Sequence, residues 1–259
     1  MQPFMLVRPA SLPEAASVFR GDAAWLAGGH TLIPAMKSRL RTVETLVDLS
    51  RIPALSDISA MDDRLVVGAM VRHAVVAASP DVRAAIPGLA ALAGGIGDPQ
   101  VRNRGTLGGS IANNDPAADY PAAVLALDAV IETSHGSHAA EAYFQGMFAT
   151  ALADGELVTA VSFRIPQASA YAKHPHPASR YALAGVYVAC FAEGHRVAVT
   201  GATTGVVRWP EAEAALDGGD ALEGLALVSD NLASDIHAGA EFRGHLAGLM
   251  LRQAAGGLA

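Results

Sequence analysis

Two glycine pairs stand where backbone amides could meet an anionic ligand. The first lies in residues 27–34 (AGGHTLIP), after a predicted strand. Adjacent glycines permit positive φ and remove both Cβ atoms, so successive N–H groups can converge on a phosphate, and Thr31 adds a hydroxyl. No Lys-Ser/Thr pair follows, as a Walker loop requires, and the spacing is not that of GxGxxG. An ordinary tight turn after a strand fits the pattern as well.

The second pair lies in residues 103–119 (NRGTLGGSIANNDPAAD), of which we predict 106–119 to be a glycine-rich loop. A carboxylate beside a nucleotide is typically an acceptor for ribose hydroxyls. Asp115 or Asp119 could equally be the N-cap of a following helix, and both interpretations can hold together. Two such segments in one chain suggest a dinucleotide with two phosphates. The segment's polar side chains are those of Thr106, Ser110, Asn113, Asn114, Asp115 and Asp119.

Composition narrows the function classes. The net charge of -7 and the pI near 5.7 argue against a nucleic-acid partner. Cys190 is the one cysteine, so this chain alone builds no iron–sulfur cluster, and redox chemistry would need an organic cofactor. His174 and His176 in HPHP indicate a surface loop rather than a metal pair. No apolar run reaches about 18 residues and no signal peptide is evident, which favours a soluble intracellular protein.

The elements that must position these segments are strands and helices that alternate along the first third of the chain, followed by a middle region that is helical and then loop-rich. Ser11-Leu12-Pro13-Glu14 is a capping box that starts a helix. Further predicted helices are 72–79, 80–94, 121–127, 210–216 and 241–254. Predicted strands are 4–8, 25–27, 45–49, 64–68, 129–133, 186–192 and 196–200, and residues 169–177 are predicted to be a linker or surface loop. The order indicates mixed α/β followed by α+β.

Four segments in order carry a family resemblance: AGGHTLIPAMKSRL, VGAMVRH, IGDPQVRNRGTLGGSIANNDPAADYPAA and HPASRYALAGV. Together they resemble the medium, FAD-binding subunit of the molybdenum hydroxylases, of the carbon monoxide dehydrogenase and xanthine dehydrogenase type. The resemblance implies an α+β fold. It has a two-subdomain α/β FAD-binding domain of the PCMH/vanillyl-alcohol-oxidase-like type at 1–165, divided near residue 55. A C-terminal domain at 166–259 then packs an antiparallel sheet against helices.

The resemblance also implies cofactor-binding residues. Many family members have Asn where this chain has Ser110, and carbon monoxide dehydrogenases usually have Gly-Asp where it has Ser179-Arg180. The first segment would bind the FAD pyrophosphate through the backbone of Ala27, Gly28, Gly29, His30, Thr31 and Leu32. The second would lie along the pyrophosphate and ribityl chain through Thr106, Gly108, Gly109 and Ser110. Asp119, with Asn113 and Asp115 nearby, would contact FAD hydroxyls, Tyr181, Ile96 and Val158 the flavin, and Lys173 would be a basic contact.

The implied activity is electron transfer through non-covalent FAD, with no catalytic acid–base pair and no metal in this chain. Molybdopterin and two-iron two-sulfur clusters would belong to a large and a small partner subunit, assembled as a dimer of heterotrimers in the cytoplasm. The acceptor would be NAD, oxygen or a quinone. Two alternatives stay open: a stand-alone flavin oxidoreductase of the same superfamily, and a binding or assembly module that has lost FAD.

Overall fold

The computed structural model describes residues 1–258 as helices packed on β-sheets. The strands are β1 (Met5–Val7), β2 (Ala23–Leu26), β3 (Thr45–Asp48), β4 (Ile58–Met61), β5 (Arg64–Gly68), β6 (Val130–Thr133), β7 (Ser137–Ala139), β8 (Phe144–Gly146), β9 (Ala149–Thr150), β10 (Val158–Arg164), β11 (Ala168–Pro175), β12 (Ala182–Phe191), β13 (Gly194–Thr200) and β14 (Val207–Arg208). The helices are α1 (Leu12–Val18), α2 (Leu32–Lys37), α3 (His73–Ala78), α4 (Pro80–Ala85), α5 (Pro87–Gly94), α6 (Pro99–Arg102), α7 (Leu107–Asn113), α8 (Tyr120–Ala126), α9 (Ala140–Tyr143), α10 (Pro210–Gly218) and α11 (Ala240–Ala255), with 3-10 turns at Leu49–Arg51 and Pro53–Leu55.

A small parallel sheet delivers the first glycine segment. Its order is β1-β3-β2, with β3 buried in the centre. The predicted capping box is confirmed, because Ser11 Oγ accepts a hydrogen bond from the Glu14 N–H and starts α1. The Glu14 carboxylate in turn accepts the N–H of Ala10 at 2.7 Å. Strand β2 then runs directly into the glycine pair at the carboxyl end of this sheet.

A five-stranded antiparallel sheet and helices α3 to α8 form the largest core. The strand order is β4-β5-β10-β6-β7. Leu89, Tyr120 and Phe163 are fully buried in it. The prediction of one helix over 80–94 is wrong in one respect, since the chain forms α4 and α5 with a break at Ile86. Pro87 has no N–H to donate to the preceding turn, so it ends one helix and starts the next.

A four-stranded antiparallel sheet, β11-β12-β13-β14, follows. Alternate residues of β12 face opposite cores, as the two-residue period of a strand requires. Tyr187 and Phe191 join the core beneath α3 to α8, whereas Val186 and Val188 join the core beneath α11. Strand β12 thus contributes side chains to both hydrophobic cores. The boundaries near residues 55 and 165 stay predictions.

The predicted linker at 169–177 is wrong over most of its length, because it forms β11. This strand pairs with β12 from Ala168–Cys190 to Pro175–Ala182. Its prolines and histidines are typical of a loop, but a neighbouring strand supplies the ladder partners, and tertiary context decides strand formation. Within residues 1–258, no helix has the length and apolarity to cross a membrane.

Candidate functional site

One cavity of about 720 Å³ gathers nearly all of the predicted cofactor-binding residues. Its volume lies in the range of organic ligand sites, about 300–1,000 Å³. Lys173 does not line it. The predicted residues in its wall are Ala27, Gly28, Gly29, His30, Thr31, Leu32, Ile96, Thr106, Gly108, Gly109, Ser110, Asn113, Asp115, Asp119, Val158 and Tyr181. Residues from the first glycine segment, from the second glycine segment and from the chain near residues 158 and 181 therefore meet at one site.

The first glycine segment presents unused backbone donors. Gly29 has a φ of +75°, which favours glycine. Within the described chain, the N–H groups of residues 28–32 donate to no backbone carbonyl or side chain. Residues 28, 29 and 32 are half-buried and residues 30 and 31 are exposed, so these five successive donors are accessible to a bound anion.

The second segment is not the predicted loop over its whole length, since the first half of residues 106–119 forms helix α7. Thr106 is the N-cap, and its Oγ1 accepts the N–H of Gly109 at 3.2 Å. The N–H groups of Leu107 and Gly108 donate to carbonyls of the connection that follows β5, at 3.0 and 2.9 Å. The N–H groups of Leu107, Gly108 and Gly109 therefore already have acceptors within the protein. This segment can offer a ligand side chains such as Ser110 and Asn113, rather than an amide cradle.

Glycine is required where the two segments touch. A Cβ on Gly28 would lie 2.2 Å from the carbonyl oxygen of Arg104 and 2.8 Å from Cα of Gly105. A Cβ on Gly108 would lie 2.4 Å from the Cβ of Ala69. A side chain at either position would force the neighbouring backbone to move. The close approach joins both segments into one continuous wall.

Asp119 is a buried carboxylate held by two side chains from β11. It occupies the N-cap position of α8 but makes no cap hydrogen bond. The Tyr171 hydroxyl donates to Oδ1 at 2.6 Å, and Lys173 Nζ lies 2.8 Å from the same oxygen. Burial raises the pKa of Asp119, although both partners act to lower it. Lys173 thus supports Asp119 from behind the cavity wall.

The turn between β11 and β12 carries Tyr181 to the cavity. Arg180 adopts a φ of +63°, and its Nη1 donates to the carbonyl of Gly97 at 3.2 Å, so the turn is tied to the segment before α6. His176 Nδ1 accepts the N–H groups of residues 178 and 179, and Nε2 lies 3.2 Å from His237 Nδ1. His176 therefore holds the turn in place.

Several cavity residues carry no sequence signal that could have identified them. Trp25 stacks on Phe19 with ring centroids 4.0 Å apart and donates to the Gly155 carbonyl. Glu156 is buried, and burial acts to raise its pKa. Hydrogen bonds from Thr133, Ala153 and His138 nevertheless bring that pKa to about 2, so a fixed negative charge lies in the wall. Each belongs to no motif and reaches the site through the fold.

A cavity of this volume beside five free amides, at the carboxyl end of a parallel sheet, defines a protein that binds an anionic organic cofactor. Comparison with known proteins agrees. Residues 2–168 match the family described as the FAD binding domain in molybdopterin dehydrogenase. This chain belongs to that family.

Relatives match over nearly the whole length. The nicotine 6-hydroxylase medium subunit of Paenarthrobacter nicotinovorans is 34% identical over 95% of this chain and 93% of its own. A chain of carbon monoxide dehydrogenase from Hydrogenophaga pseudoflava superposes with a TM-score of 0.89 at 33% identity, covering 99% and 98% of the two chains. Quinoline 2-oxidoreductase of Pseudomonas putida 86 gives 0.88 at 29%, with the same coverage. The resemblance in the sequence and the expected α+β fold are confirmed.

Proposed function

We propose that this chain is the FAD-carrying, electron-transferring subunit of a molybdenum-containing hydroxylase or dehydrogenase. The observation that carries the proposal is the row of free amides at residues 28–32 on the wall of the 720 Å³ cavity. A pyrophosphate supplies two negative charges to such donors, and charge-assisted hydrogen bonds are the strong ones. The family match and the relatives' names support the same conclusion.

The residues in the cavity wall fit FAD in chemical type. Backbone donors at 28–32 suit the pyrophosphate, and Ser110, Asn113 and Asp119 suit hydroxyl groups. Apolar and aromatic side chains suit the flavin rings, namely Ile96, Val158 and Tyr181. We assign the predicted site residues these roles, and Lys173 a supporting role through Asp119.

Bound FAD supplies the redox chemistry by accepting electrons and passing them on. The chain's own residues bind and orient the cofactor, and the Arg180–Gly97 contact holds the turn with Tyr181 over the cavity. We infer that the electrons come from iron–sulfur clusters of a small partner subunit, after a large molybdopterin subunit oxidises the substrate. We further propose a dimer of heterotrimers located in the cytoplasm.

Purification of the full chain with its co-purifying partners tests the proposal. We expect the visible spectrum of a flavin, release of intact FAD on denaturation, and iron and molybdenum in stoichiometric proportion in the complex. Reduction of the flavin by substrate should require the complete complex. A chain that takes up no FAD would refute the proposal, and substrate turnover by the isolated chain would support a stand-alone oxidoreductase instead.

A further inference from the structure

His73 is a buried histidine in the cavity wall that the proposed function leaves without a role. It is the first residue of α3 and is 5% exposed. Its Nδ1 is buried and has no hydrogen-bond partner within residues 1–258. A buried polar atom without a partner costs about 1–3 kcal/mol, so native proteins retain few of them.

The ring lies at the junction of the two glycine segments. A Cβ on Gly105 would be 2.4 Å from Nε2 of His73, so the ring edge faces the Gly105 backbone. The same backbone would lie 2.8 Å from a Cβ on Gly28, where the free amides begin. An anion bound by these amides would therefore lie close enough to act on the charge of the imidazole.

The surroundings keep this imidazole neutral. Burial, together with the smaller effects of the charges of His30 and Arg102, lowers the pKa of His73 to about 4. Tyr120 packs its ring on the imidazole with centroids 5.3 Å apart. Helix α5 carries no titratable residue. The titratable groups around α3 are His30, Arg102 of α6, Tyr120 of α8, and Asp81 and Arg83 of α4. Arg83 donates a hydrogen bond to the Ala77 carbonyl, near the other end of α3 from His73.

We propose that His73 gains a proton from solvent when FAD binds, so that cofactor binding is linked to proton uptake. The proposal rests on the proposed function, because the pyrophosphate is the anion that acts on the ring. A nearby negative charge favours the protonated imidazole, in which each ring nitrogen carries an N–H. No bond of FAD changes.

The sign of the pH dependence follows. Because the complex would have the higher His73 pKa, FAD binds more tightly as the pH falls below that value. The dissociation constant should fall about tenfold per pH unit, until the pH reaches the pKa of the free chain. Above the pKa of the complex, the affinity contributed by His73 is lost.

The test uses the full chain, freed of FAD and titrated with FAD at about pH 6.5, the ordinary pKa of histidine. Calorimetry in two buffers of different ionisation enthalpy should report uptake of up to one proton per FAD. Nitrogen NMR of histidine-labelled chain should show His73 neutral without FAD and protonated with it. His73→Gln should abolish both signals, whereas His245→Gln, exposed on α11, should keep them.

The outcomes separate the two proposals. FAD binding without proton uptake, or uptake that persists in His73→Gln, overturns the role of His73 and leaves the proposed function intact. Failure of the wild-type chain to bind FAD overturns the proposed function itself. If His73→Gln does not fold, the wild-type proton count and ring spectrum still decide.

Discussion

Replacing Gly28 by alanine tests whether the two glycine segments must touch for FAD to bind. The new Cβ would lie 2.2 Å from the Arg104 carbonyl oxygen and 2.8 Å from the Arg104 carbonyl carbon and Gly105 Cα. All three are backbone atoms, which cannot rotate away. Ordinary contact begins near 3.4 Å, so the segments must separate by about 1 Å, the difference between 3.4 and 2.2 Å.

The magnitude follows from that displacement. Overpacking of this kind lowers the free energy of unfolding by about 1–3 kcal/mol. A shift of about 1 Å also breaks the alignment of the donors at residues 28–32, and one charge-assisted hydrogen bond contributes about 1.5–3 kcal/mol. Loss of a single such bond raises the FAD dissociation constant by about 10- to 150-fold. We therefore expect Gly28→Ala to weaken FAD binding at least about tenfold.

The assay is a fluorescence titration of FAD-free chain with FAD, beside urea unfolding without FAD. Gly94→Ala is the matched control, because the nearest atom to its Cβ would be that of Ala77, at 3.8 Å, and its φ is not positive. In a helix this change should be neutral or stabilise by up to about 1 kcal/mol. Wild-type affinity and stability in Gly28→Ala would refute the reasoning.

Three further predictions concern buried charges. Lys173→Met leaves the Asp119 carboxylate without its cation, and urea unfolding should show a loss of about 3 kcal/mol; an unchanged midpoint would contradict the ion pair. The ionised Glu156 carboxylate stabilises the fold above pH 4.5, and this contribution, up to about 3 kcal/mol, should disappear as the pH falls toward 2. Urea unfolding of Glu156→Gln at several pH values should not show this loss. If the free energy of unfolding falls with pH equally in both proteins, Glu156 is not the group responsible. Arg243→Met removes buried hydrogen bonds to the Leu183 and Gly201 carbonyls and should cost about 2–4 kcal/mol without changing FAD affinity, measured by the same titrations.

Much of the fold was predictable because its signals are local. The capping box at Ser11 and the alternating strands and helices of the first third follow from residue types a few positions apart. Strand β11 was not predictable in this way, because the composition of β11 favours a loop. Its pairing partner, β12, begins seven residues after β11 ends. The break at Pro87 carried a local signal, the proline itself, which the apolar run over 80–94 obscured.

The sequence by itself determined the family, the two glycine segments and about half of the residues that line the cavity. Only the tertiary structure decided which of the two segments has backbone N–H groups available to a ligand. The amides of 28–32 stay free, whereas those of Leu107 and Gly108 are bonded to the connection after β5. A glycine pair in the sequence indicates only that the backbone can adopt positive φ and approach a ligand closely. Whether its N–H groups are available depends on carbonyls that the fold brings from elsewhere in the chain. For the same reason, Trp25 and Glu156 could be assigned to the cavity only in three dimensions.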